Sequence, residues 1–95
     1  MNKRTKTAKQ MERHLKGLGN HYRIEILLLL DKSRGLTVDD ITERLDANYK
    51  TVAQHVSNLV RAGLIEKSQE HSSVHNRLSP YGEACVEFLK KFQTF

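Results

Sequence analysis

Apolar positions recur at helical spacing over five stretches of this chain, and one short segment near the end breaks the pattern. It is clearest between Asn48 and Arg61. With Val52 as origin and about 100° per residue, Val56 and Leu59 fall within about 40° of it. Lys50, Gln54, Ser57, Asn58 and Arg61 gather on the opposite side. This predicts a two-faced helix over 48–62, capped by Asn48 and ended by Gly63 just past its C-terminus. Earlier, Met11, Leu15 and Leu18 form a narrow i, i+4, i+7 stripe on a helix from Ala8 to Leu18. Gly19-Asn20 punctuates, and Asn20 is placed to cap a helix over His21–Asp31. In that helix Ile24 and Ile26 to Leu30 leave little polar surface beyond Arg23 and Glu25, the mark of a segment central to a core. A buried strand competes for Ile24–Leu30, but leucine is not β-branched and the cap favours a helix. Thr37, with Asp40 three residues on as a variant capping box, opens a short helix to Leu45 with Val38, Ile41 and Leu45 as its stripe.

After Gly63 the period changes. Leu64 to Glu70 reads as a strand, His71-Ser72-Ser73 as a polar turn and Val74 to Ser79 as a return strand. Ser79 then caps a last helix with Pro80 in its first turn. Cys85, Phe88, Leu89 and Phe92 lie on its apolar side, with Phe95 near the end. The expectation is a mainly α fold with a small β-hairpin, a winged helix-turn-helix of about five helices in a single domain over 1–95. Its parts are a basic, flexible arm at 1–7, a helix-turn-helix at 37–62, a wing at 64–79 and a C-terminal helix at 80–94.

Charge sharpens this picture. The net charge is +5, which suggests a polyanionic partner. The excess is confined to the start. Residues 1–16 hold six bases (Lys3, Arg4, Lys6, Lys9, Arg13, Lys16) and one acid, Glu12, whereas 17–95 hold ten of each. Within that neutral remainder charge is segregated. Residues 47–61 carry Lys50 and Arg61 and no acid, while the helix before them carries Asp39, Asp40 and Glu43 against Arg44. A single cysteine rules out an internal disulfide and fits a reducing compartment. The basic start lacks the apolar run of a secretory signal, and Ile26–Leu30 is too short to span a membrane, so a cytoplasmic protein is expected.

The order of helix, helix, short helix, two-faced helix, hairpin and helix comes with LGNHYRIEIL at Leu18–Leu27, LTVDDITERL at Leu36–Leu45 and TVAQHVSNLVRAGLI at Thr51–Ile65. Together these resemble the ArsR-type winged helix-turn-helix repressors, with MarR-like winged helices next. The resemblance covers roughly Leu15 to Pro80. It implies a homodimer built from the first and last helices on an inverted-repeat operator, with Met11, Leu15, Leu18, Cys85, Phe88, Leu89 and Phe92 as the interface. It does not carry over metal sensing. One family site needs a cysteine pair where this chain has TVDDITERL, and another needs histidines on the last helix, where this chain has Glu83 and Glu87.

Candidate chemistry follows. No nucleophile elbow, phosphate-binding glycine loop or metalloprotease motif occurs, so no enzyme is expected. Asp39 and Asp40 diverge by about 100° on their helix, which argues against a paired-carboxylate site. His71 and His75 could face each other across the hairpin near Glu66 and Glu70, but a zinc site needs three or four ligands in tight geometry, and no metal or other cofactor is expected. Cys85 reads as a small buried residue, and His55, about 60° from Val52, as a half-buried structural one. Lys50 and Gln54, one turn apart near the start of the outer face, are the base-reading candidates, since glutamine pairs with adenine and lysine donates to guanine. Tyr49, Thr51, Ser57, Asn58 and Arg61 are placed for phosphate or sugar, as are Lys67 and Arg77 in the wing. The expected function is a double-stranded DNA-binding transcriptional regulator, a dimeric repressor. The alternative is a winged-helix protein-interaction module, which the neutral charge of 17–95 favours.

Overall fold

A computed structural model of the protein describes residues 5–95. Five helices and a hairpin follow in order: α1 (Ala8–Leu18), α2 (His21–Lys32), α3 (Val38–Leu45), α4 (Tyr49–Arg61), β1 (Ile65–Glu70), β2 (Ser73–Leu78) and α5 (Pro80–Gln93). The expected fold class is the one observed. Residues 1–4 of the anticipated arm lie outside the described residues, and α1 begins where the sequence places it, at Ala8. Thr7 caps α1 in a complete capping box with Gln10, and the Lys6 ammonium sits 5.2 Å from the Tyr81 ring centre.

The helix starts are set by local chemistry. Asn20 Oδ1 accepts from the Tyr22 and Arg23 amides, Thr37 and Asp40 form a reciprocal box, Asn48 accepts from Thr51 and Ser79 from Gly82. The end of α4 is a Schellman motif. Gly63 takes φ +81°, its amide bonds to the Val60 carbonyl, and the Leu64 amide reaches back to Leu59. Asp46 makes the turn between α3 and α4 with φ 50°, a left-handed conformation that aspartate tolerates.

α2 is the central helix, with Ile26, Leu27 and Leu30 fully buried. Around them pack Ile41 of α3, Val52, Val56 and Leu59 of α4, Leu64, Ile65, and Val86 and Leu89 of α5. The hairpin is antiparallel, with Ile65 opposite Leu78 and Glu70 opposite Ser73. The return strand therefore begins at Ser73, not Val74. The loop shrinks to His71-Ser72, with His71 at φ 58°, as a two-residue hairpin connection requires.

Two features have no local signal. Leu36 forms an isolated bridge to Asn76, whose backbone amide and side-chain amide both donate to the Leu36 carbonyl; the asparagine is fully buried and ties the wing to the loop before α3. Gly82 lies so close to the Leu64 carbonyl that a Cβ there would come within 2.1 Å of the oxygen. That close approach seats α5 against the end of the helix-turn-helix.

Candidate nucleic-acid interface

α4 divides as its wheel predicts. Val52, Val56 and Leu59 are buried, while Lys50, Gln54, Ser57 and Arg61 are exposed and Thr51 and Asn58 half-exposed. Tyr49 stands at the start of the helix, 53% exposed. Burying three apolar side chains on one stripe contributes about 1.5–3 kcal/mol each and leaves the polar stripe facing outward. Among the described residues, Lys50, Arg61 and Lys67 take part in no ion pair.

The wing and the helix-turn-helix enclose a cleft of about 370 Å³ lined by Thr37, Val38, Asp39, Tyr49, Lys67, Ser72, Ser73 and Val74. Lys67 thus shares a surface with the first turn of α4. Arg77 does not. It pairs with Glu66 in the strand register, on the opposite face from Lys67, because successive strand residues alternate sides. Its guanidinium lies 4.0 Å from Glu66 in a second hollow that also holds Asp31 and Glu83. The two wing bases expected to act together are separated by the ribbon. The first cleft also holds an acid, Asp39, which nothing in the sequence pattern assigns to this surface.

His55 is half-buried on the flank of α4. Its Nδ1 accepts a hydrogen bond from Arg23 Nε at 3.2 Å, and its ring stacks on Tyr22 with centres 5.6 Å apart. Burial, then the Arg23 and His21 charges, hold its pKa below the ordinary imidazole range. The periodicity of α2 puts Arg23 on its small polar surface. Instead Arg23 is half-buried, and its Nη1 also donates to the Gly17 carbonyl at 2.7 Å. No spacing rule links residues 23 and 55.

The apolar residues of α1 and α5 line a shallow groove of about 280 Å³ with Met11, Leu15, Leu18, Cys85 and Phe88 on its walls. Met11, Leu15, Phe88 and Phe92 are about half to two-thirds exposed, and the Phe88 and Phe92 rings stack at 6.0 Å. Leu89, also expected at the interface, stands apart: at 9% exposure it belongs to the core, because α5 turns it toward α2. The Cys85 thiol is half-buried, and burial pushes its pKa up, so it stays protonated and weakly nucleophilic. His71 occupies the hairpin loop while His75 pairs with Ser68 and contacts the Gly35 carbonyl, so the two do not converge.

The helix-turn-helix domain family matches residues 18–68, from the end of α1 to the middle of β1. Over 79 residues the chain is 33% identical to the transcriptional activator HlyU of Vibrio cholerae, covering 81% of this chain and 71% of that protein. The solved structure of reduced HlyU from Vibrio cholerae superposes with a TM-score of 0.71 at 29% identity, over 88% of this chain and 96% of that one. A predicted DNA-binding transcriptional regulator from E. coli gives a TM-score of 0.79 at 22% identity, with 90% of each chain covered. A MarR family transcription regulator gives 0.77 at 23%, over 84% of this chain and 55% of that one. The last two likenesses speak to the fold alone. Matched over more than half its length, and with the β1–β2 hairpin supplying the wing, the chain belongs to the helix-turn-helix domain family in its winged form.

Proposed function

We propose that the protein is a sequence-specific DNA-binding transcriptional regulator of the ArsR type, acting in the cytoplasm as a homodimer on an inverted-repeat operator. The observation that carries this reading is the outer face of α4, free of acids and, among the described residues, of ion pairs, and backed by a buried apolar stripe. A helix of this kind fits the major groove. Lys50 and Gln54 read base edges. Tyr49, Thr51, Ser57, Asn58 and Arg61 meet phosphate or sugar, and Lys67 reaches the backbone from the wing. Arg77, held on the far side of the ribbon near Glu66, is left out of this set. The dimer forms through Met11, Leu15, Leu18, Phe88 and Phe92, with Cys85 at the groove. Occupying a promoter blocks transcription, so we assign the repressor sign; a relative bears the name activator, and a promoter fusion with and without the protein decides between the two.

In vitro selection of duplex sequences with the purified protein tests the reading. A recovered palindromic consensus supports it. The Lys50→Ala, Gln54→Ala double variant should then lose about 1–3 kcal/mol of base discrimination for each reader removed while keeping its fold. Asp39 in the cleft and the neutral charge of residues 17–95 favour one other reading, a protein-interaction module. Negligible binding to duplex DNA at low salt would favour that module instead.

A further inference from the structure

Three elements meet at Arg23. It lies in the first turn of α2, donates through Nη1 to the carbonyl of Gly17 in the last turn of α1, and donates through Nε to His55 on α4. The Gly17 carbonyl is among the last four of its helix and so lacks an intrahelical partner. His55 follows Gln54 and lies one turn before Asn58. The fully buried stripe of Val52, Val56 and Leu59 holds α4 against the core from within and is narrow, with half-buried Val60 bracing only the flank away from His55. A narrow stripe resists lifting of a helix better than rolling about its own axis. Atoms about 6 Å from a helix axis shift sideways by about 1 Å for a roll of about 10°. Base recognition needs placement to about 0.5 Å.

We propose that Arg23 is a positioning residue for DNA reading: with one guanidinium it ties α1, the dimer-forming helix, to the flank of α4 and fixes the roll at which Lys50 and Gln54 face the groove. This rests on the reading of α4 as the DNA-recognition helix. The planar fork matters, because two donors on one rigid group hold two acceptors on different helices at once, which a lysine ammonium on a flexible stem does not reproduce.

The tie requires His55 to be neutral, because its Nδ1 accepts. α2 presents Arg23, His21 and Tyr22 toward His55, with His21 also 3.2 Å from Glu25. α1 closes the adjoining hollow with Arg13 and His14. Positive neighbours and burial both disfavour the imidazolium. The tie is therefore fully present above the ordinary imidazole range and is lost as pH falls through the depressed value. Protonation turns the acceptor into a donor facing a cation, which releases the flank of α4.

Full-length wild type, Arg23→Ala, Arg23→Lys and His55→Asn are compared by fluorescence anisotropy on the duplex that wild type selects, from about pH 7.5 to about pH 5, with circular dichroism as the check on fold. His55→Asn keeps a carbonyl oxygen that can accept from Arg23 but has no proton to gain. It also serves as the baseline for every effect of acid that does not pass through His55. Both Arg23 variants are expected to bind about tenfold more weakly at neutral pH, as for loss of one charge-assisted hydrogen bond, with an unchanged salt slope. Relative to His55→Asn, wild type should lose about tenfold on acidification. Wild-type affinity in Arg23→Lys, or acid sensitivity of His55→Asn equal to that of wild type, overturns the proposal while leaving α4 as the reader. If Arg23→Ala does not fold, Arg23→Lys and His55→Asn still decide. Failure of wild type to select any duplex overturns the DNA reading and this inference with it.

Discussion

Replacing Phe88 and Phe92 together by serine tests whether the apolar side of α5 is a dimer surface. The two side chains are 53% and 67% exposed. A phenylalanine buries about 200 Å² when fully covered, so about 100 and 130 Å² remain available on each protomer. At about 25 cal/mol per Å² that is about 2.5 and 3 kcal/mol, and a twofold axis presents each patch twice, for an upper bound of about 11 kcal/mol. Interfaces cover such residues only in part, and ordering the rings on association costs part of the gain, so a net loss of about 3–5 kcal/mol is expected. The dimer dissociation constant should rise by about a hundredfold or more, to about a thousandfold at the middle of that range. Sedimentation velocity over a concentration series measures it. The monomer should lose roughly 2 kcal/mol, about half the upper bound of about 4 kcal/mol for the third to half of each ring that it already covers, so its stability is followed alongside by urea unfolding. Leu89→Ala is the internal contrast: it empties the core and should cost about 2–4 kcal/mol of stability, read as a fall in Tm of roughly 10 °C or more. A double serine variant with a wild-type dissociation constant would refute the assignment of this face, as would a Leu89→Ala variant that loses dimerisation but no stability.

The wing, the cleft and the seat of α5 offer three further tests. Lys67→Ala should lower the slope of log affinity against log salt by about 0.9 for each phosphate it no longer neutralises, and Arg77→Ala should leave it unchanged, since only Lys67 shares the cleft with Tyr49; equal slopes for the two variants would contradict the separation of the wing faces. Asp39→Asn removes the acid lining that cleft and should tighten duplex binding several-fold, by roughly 1 kcal/mol at low ionic strength, an advantage that shrinks as salt is raised. Gly82→Ala places a Cβ 2.1 Å from the Leu64 carbonyl oxygen and should destabilise the fold by about 3 kcal/mol in urea unfolding; a neutral result would mean α5 is seated elsewhere.

What the amino-acid order determined alone is what acts over three or four residues. Asn20, Thr37, Asn48 and Ser79 cap because a short polar side chain reaches amides two or three positions on, whatever the rest of the chain does. Gly63 ends α4 because the Schellman geometry needs a positive φ. The two faces of α4 follow from its period, and with them the choice of Lys50 and Gln54. Tertiary structure decided which surfaces meet. Phe88 and Leu89 are adjacent and both strongly apolar, yet one stays exposed and the other enters the core, because the docking of α5 at Gly82 sets its roll. Lys67 and Arg77 part because the register of the ribbon puts them on opposite faces. Arg23 finds Gly17 and His55, and Asn76 finds Leu36, only after α1, α4 and the wing have packed around α2. Periodicity states which side of an element is apolar; it carries no record of which distant side chain fills the notch beside it.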